Sequence, residues 1–260
     1  MDLNFRVLKE PRGFMRVLQF VFAIFAFATT SGFGSATTFK VSCNNSDPPV
    51  TVNFQFGYPF RMSYFPFKAP ATCPIASDRG NWPAVELPFN FASNAEFFVA
   101  TGVLSFLYCV GILGIYLFSN KMYIENQTVP IIDLGLSALL ALFWFAGSCA
   151  WAQGKSDVKY YTSLPNFKKY VDVCKSDGAS CDPETTASFA TLNVSLILGF
   201  FNVLLWVAGC WFVFKETSFH AQRQPPPVGG GGVPPFPQSN AQYPPQSPPP
   251  IQSPTFGTQY

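Results

Sequence analysis

Charge is scarce in this 260-residue chain: only 12% of residues are Asp, Glu, Lys or Arg, and histidine occurs once. The single histidine, His220, has no Ser/His/Asp constellation around it, and no Cys/His/Asp/Glu group shows metal-ligand spacing. The glycines from Gly229 to Gly232 follow three prolines and open no strand-to-helix unit that would cradle a phosphate. No catalytic residue, metal or cofactor is assigned, and the chain is read as non-enzymatic. A net charge of +2 without a basic, aromatic-interleaved motif sets nucleic acid aside as a partner.

What the chain has instead is four long apolar runs, at 17–36, 97–118, 134–151 and 192–214. Each is close to the ~20 residues that a helix rising 1.5 Å per residue needs to cross about 30 Å of hydrocarbon. Within lipid the backbone must satisfy its own hydrogen bonds, and runs of this length do so as helices, because barrel strands are about half as long and alternate. The expected architecture is an all-α membrane protein. A four-span domain covers 1–220, with long loops at 37–96 and 152–191, and a separate tail covers 221–260.

The first run carries two readings. Arg6, Lys9, Arg12 and Arg16 before an apolar stretch, with Ala26 and Ala28 flanking Phe27, also describe a secretory signal peptide. The run continues through Gly32 and Gly34 to Ala36, which suits a retained helix better. Either way the next loop is expected to be lumenal, with the basic N-terminus cytosolic. The 152–190 loop balances five Lys against five acids and is long enough not to overrule that bias.

Cysteine placement agrees. Cys43 and Cys73 lie in the first long loop and Cys174 and Cys181 in the second, an even pair in each, as expected of an oxidising lumen. Four cysteines allow three pairings; closure within each loop favours Cys43 with Cys73 and Cys174 with Cys181. Cys109, Cys149 and Cys210 fall inside spans and read as small packing residues, Cys210 also lying near enough to the cytosolic end for palmitoylation.

Local patterns furnish the loops. Phe39, Val41 and Cys43 alternate with polar residues, turn formers follow from Asn44 to Pro49, and Val50, Val52, Phe54 and Phe56 alternate again. This predicts a strand, a turn and a strand, making a small lumenal sheet that a disulfide pins. Phe167, Tyr170, Val171 and Cys174 after Pro165 predict a short amphipathic helix. Asn44-Asn45-Ser46 is a glycosylation sequon in a lumenal turn, and Asn44 is the expected acceptor; the triplets at Asn126 and Asn193 have poorer settings.

Inside the spans ionisable groups are almost absent, Asp133 and Glu96 standing at helix entrances, which disfavours an ion relay. Small residues four apart, Ala146 with Ala150 and Ser195 with Gly199, fit close helix packing, within one bundle or in a homo-oligomer. Leu113, Tyr116 and Lys121 match a permissive cholesterol-contact pattern, although an interfacial Tyr beside a snorkelling Lys explains them equally. The tail is mostly Pro, Gln, Gly and Ser, a composition that buries no core and is expected to be disordered in the cytosol. Its proline runs could seat adaptor domains. Ser247 and Ser253, each followed by proline, and Tyr243 and Tyr260 are candidate phosphorylation sites.

Several stretches, in order, resemble the synaptophysin family. They are Phe5 to Pro11 leading into Phe22 to Thr29, Gly57-Tyr58-Pro59-Phe60-Arg61, Ala95 to Val99, Ser148 to Ala152 with Ser156 to Lys159, and Trp211 to Thr217. The resemblance runs from about Phe5 to His220. It implies a four-span MARVEL bundle with the first helix retained, located in synaptic or other cytoplasmic vesicles, oligomeric, and in contact with cholesterol. It further implies association with the vesicle SNARE synaptobrevin during exocytosis and endocytic retrieval. The tail lacks the repeated Tyr-Gly segments of neuronal members, so a broadly expressed, pantophysin-like member fits equally well. An oligomeric channel or transporter is the competing class.

Overall fold

The computed structural model describes residues 9–44, 48–75, 81–119, 123, 126 and 128–217. Among these, four helices are long and apolar enough to cross a membrane: α1 (Pro11–Ser31), α2 (Ala92–Phe118), α3 (Thr128–Tyr161) and α4 (Ala190–Glu216). Pro11 starts α1 where a missing N–H costs nothing. Asn90 Oδ1 accepts the Ala92 N–H at 3.0 Å to start α2, and Asn126 Oδ1 accepts the Thr128 N–H at 3.0 Å to start α3. α1 and α3 each pack against both α2 and α4, so the four helices stand at the corners of a bundle. At 34 residues α3 is about 51 Å long and overhangs the apolar run at both ends.

The first span is corrected. It was expected at 17–36 but begins at Pro11 and ends at Ser31, where the Gly32 N–H closes on the Ala28 carbonyl at 2.9 Å. Residues 34–36, which read as the end of the apolar run, belong to a strand. Arg12 and Arg16, which read as a flanking basic segment, lie inside the helix and are buried.

The segment between α1 and α2 and that between α3 and α4 build one cap at the far end of the bundle. β1 (Gly34–Cys43) pairs antiparallel with β2 (Val50–Gly57) from Gly34↔Gly57 to Val41↔Val50, so the two expected strands are present and longer than the alternation indicated, while residues 45–47 of the expected turn lie outside the described residues. Phe67–Lys68 (β3) and Ala84–Val85 (β4) make a two-residue ladder. β5 (Ala179–Thr185) pairs along the other edge of β1, giving the order β2-β1-β5. Sequence patterning does not announce β5: it is largely polar and contains Pro183, which an edge strand tolerates because one side needs no donor. The expected amphipathic helix after Pro165 is also corrected. It is a helical turn, Leu164–Phe167, followed by tight turns at Lys168–Tyr170 and Asp172–Lys175, which still bury Phe167 and Val173.

Both loop disulfides form within their own loops, Cys43 with Cys73 and Cys174 with Cys181. Beneath them lies an aromatic core in which Phe54 contacts Phe67 and Phe167 with ring centroids 5.1 and 5.7 Å apart. Phe60 carries this core onto the bundle by packing on Trp151 at 5.1 Å. The sharp turn that aims Phe60 depends on Gly57, where a Cβ would stand 2.6 Å from the Phe33 carbonyl oxygen.

Inside the bundle polar side chains pack among large aromatic ones such as Trp144, Trp151 and Trp206, whereas the outside is apolar. Leu107, Leu142, Ile197 and Leu204 are each more than half exposed, whereas Ser105, Ser137, Ser148, Ser195 and Asn202 are fully buried. In water this distribution would expose a continuous hydrophobic belt; in lipid it is the stable one.

A buried charged cluster as candidate functional site

Near the end of the bundle away from the sheet, all four helices contribute to one polar cluster. Arg16, 1% exposed, sits five residues into α1, and Asp133, 2% exposed, sits five residues into α3. The Arg16 guanidinium donates to Asp133 Oδ1 and, at 2.6 Å, to Ser137 Oγ. Its other arm donates to Gln19 Oε1 at 2.8 Å, and Gln19 Nε2 donates to the Leu205 carbonyl of α4 at 3.0 Å. From α2, Tyr108 donates to Asp133 Oδ1 and Tyr116 to Oδ2 at 2.7 Å, while Tyr123 donates to Oδ2 at 2.9 Å. The faces of Tyr108 and Trp206 lie 5.3 and 5.5 Å from the Arg16 guanidinium carbon, within cation-π range.

The carboxylate thus accepts from one cation and three phenols, which satisfies both oxygens, while the Ser137 hydroxyl donates to the Asp133 main-chain carbonyl at 2.6 Å. A buried ion pair holds only under such conditions, since each charge has left water and each lone pair needs a donor. Asp133 stands near the entrance of its helix as expected, about one and a half turns inside α3, but the buried arginine opposite it, inside α1, was not expected. Arg12 extends the cluster outward, pairing with Glu10 at 2.8 Å and Glu216 at 3.5 Å, with its guanidinium over Tyr116 and Tyr123.

A sequence signal for this arrangement exists. The buried positions of α2 include 95, 98, 102, 105, 109, 112 and 116, and those of α4 include 192, 195, 199, 202, 206, 209 and 213, alternating steps of three and four. Arg12, Arg16, Gln19, Ala23, Ala26 and Thr30 follow the same rhythm on α1. That is the seam of a closely packed bundle, and tracing it backward from Ala26 and Ala23 places both arginines inside.

Other expected site residues fall as follows. Tyr116, read as a sterol contact, is corrected: its side chain is fully buried with its hydroxyl on Asp133, so a sterol on the outer surface does not reach it. Leu113 is half-buried beside that cluster, and Lys121 lies outside the described residues. Asn44 is exposed, with its main-chain N–H on the Gly178 carbonyl at 3.0 Å; Asn45 and Ser46 lie outside the described residues. Tyr243, Ser247, Ser253 and Tyr260, with the whole 221–260 tail, also lie outside them. Gly199 and Ala146 separate: Gly199 faces inward against Phe98 and Ser148, whereas Ala146 is exposed on the outer face of α3. Among the described residues no group of three or more His, Cys, Asp or Glu is placed to hold a metal.

A comparison with protein families bears on the four-helix part: the family model described as MARVEL, a membrane-associating domain, matches residues 7–212.

Proposed function

Because this chain belongs to the MARVEL family of membrane-associating domains, we propose that it is a non-enzymatic organiser of small transport vesicles that holds a synaptobrevin-like vesicle SNARE in the membrane plane. The observation that carries this reading is where the reactive and apolar surfaces lie. The interior charges are consumed by one another, whereas the outward faces of α2, α3 and α4 offer a belt of large apolar side chains to lipid and to other spans. Association between spans in lipid depends on such close side-chain packing. The ordered resemblance to the synaptophysin family supplies the vesicle setting, the SNARE, cholesterol contact and self-association. In the proposed orientation both termini are cytosolic and the disulfide-bonded sheet is lumenal, in keeping with the basic N-terminus and with disulfides in an oxidising compartment.

The competing function, an oligomeric channel or transporter that relays ions or protons, calls for ionisable groups strung along a path. The charged groups here are gathered at one level of the bundle and mutually paired. The deciding experiment is co-isolation of synaptobrevin from detergent-solubilised vesicles carrying the full chain, a chain lacking residues after Gln224, or a chain with outward-facing Leu142 and Ile197 replaced by Ala. Capture that survives tail deletion and weakens with the span substitutions is the expected result. Capture lost with the tail alone, or an ion-selective conductance of the reconstituted chain, overturns it.

A further inference from the structure

We propose that a groove at the sheet end of the bundle binds the phosphate headgroup of an anionic phospholipid from the adjacent leaflet. The groove encloses about 710 Å³ where the overhanging end of α3, β1, β5 and the start of α4 meet. Both charged residues that line it are lysines, Lys155 and Lys159, four apart on α3 and therefore on one face.

No carboxylate lines the groove, although β5 carries two. Strand alternation explains this. Pro183 points into the groove, so its neighbours Asp182 and Glu184 point to the opposite face, where Asp182 accepts from the Ser180 hydroxyl and Glu184 from Thr51 and Lys40. Asp157 accepts from Gln153 on α3 itself. Lys155 donates one hydrogen to Asn193 Oδ1 at 2.7 Å and retains two, while Lys159 has no hydrogen bond or ion pair with the described residues. The cavity is thus a pocket of uncompensated positive charge.

Hydroxyl side chains such as Ser156 and Thr186 also line it, and Leu164, Pro165, Ala187 and Phe189 give it an apolar stretch of wall. An inorganic anion has no use for such a wall; a phosphate attached to a glycerol and acyl chains does. Depth agrees. Lys155 stands about 6 Å, and Lys159 about 12 Å, beyond Trp151, the end of the apolar run on α3, which spans the headgroup layer next to the hydrocarbon. Immediately below, Val194 and Ile197 of α4 face outward, 46% and 68% exposed, and provide a path for an acyl chain.

The test uses the purified full chain in nanodiscs of phosphatidylcholine alone or with one-tenth phosphatidylserine, reading the lipid retained by native mass spectrometry. Wild type is expected to retain phosphatidylserine over phosphatidylcholine. K155Q/K159Q should lose this preference roughly twenty-five-fold, about fivefold per lysine, while K155R/K159R keeps it. A187W, which fills the groove without touching its charge, should lose it too. Thermal melting and intact disulfides identify a variant that has failed to fold, in which case the single variants K155Q and K159Q carry the comparison. Unchanged selectivity in folded K155Q/K159Q overturns the site. Retention in A187W assigns the effect to diffuse surface charge and overturns the groove. Displacement of the lipid by millimolar inorganic phosphate overturns the lipid in favour of a soluble anion.

Discussion

Arg16 and Asp133, 117 residues apart in sequence, form a buried ion pair across the diagonal of the bundle, joining two helices that otherwise meet mainly through α2 and α4. With Tyr108, Tyr116 and the Gln19 link to α4, this pair ties every span at a single level. It also accounts for an amino-terminal helix that carries two arginines and still lies within the bundle.

Removing one partner leaves the other charge buried and unpaired, which costs about 3–5 kcal/mol. R16L and D133L are each expected to lower the melting temperature of the detergent-purified protein sharply. The double variant R16L/D133L should fall less than the sum of the two, because the orphaned charge is gone. Additive losses would show that the two residues act independently.

Gly199 and Ala146 should respond differently to the same change. A Cβ on Gly199 would stand 2.6 Å from both Phe98 Cε2 and Ser148 Oγ, so G199L forces α4 away from α2 and α3 and lowers the melting temperature. Ala146 faces outward, and A146L leaves the melting temperature unchanged. If A146L alone shifts the crosslinked oligomer distribution, that face of α3 is where copies meet; a destabilised A146L monomer would contradict its outward placement.

The two disulfides should contribute unequally. Cys43 and Cys73 are separated by 30 residues and Cys174 and Cys181 by 7, so loop-closure entropy assigns about 3–4 kcal/mol to the first and about 2 kcal/mol to the second. C43A/C73A should therefore unfold at lower denaturant than C174A/C181A. Peptide mapping without reduction checks the pairing directly, and a peptide joining the two loops would refute it.

Orientation and glycosylation can be read together in sealed vesicles. External protease should remove the chain beyond about residue 220 and spare both disulfide-linked segments. N44Q should abolish glycosidase-sensitive mass, because Asn44 is exposed on the sheet, whereas the Asn193 side chain accepts from Lys155 and lies within α4. Protection of the tail would invert the orientation, and glycan retained in N44Q but lost in N193Q would move the acceptor.

Much of this was legible before any coordinates. Run lengths established four spans, since hydrocarbon thickness converts directly into residue count, and alternation from Phe39 to Phe56 established the hairpin. Even cysteine counts in two loops favoured the observed pairs. β5 was not legible, because its pairing depends on the free edge of β1 rather than on apolar alternation of its own. Neither were the limits of α1. Hydropathy counts Arg12 and Arg16 as outside the membrane unless a partner is known, and apart from Glu10 and Gln19 their partners lie far along the chain.

The sequence by itself determined that this chain spans a membrane four times, because solvation of the backbone in lipid is a local requirement met within each segment. Only the tertiary structure decided which charges belong inside. Burying Arg16 is unfavourable until Asp133 and the tyrosines surround it, and that compensation exists only once the helices have packed.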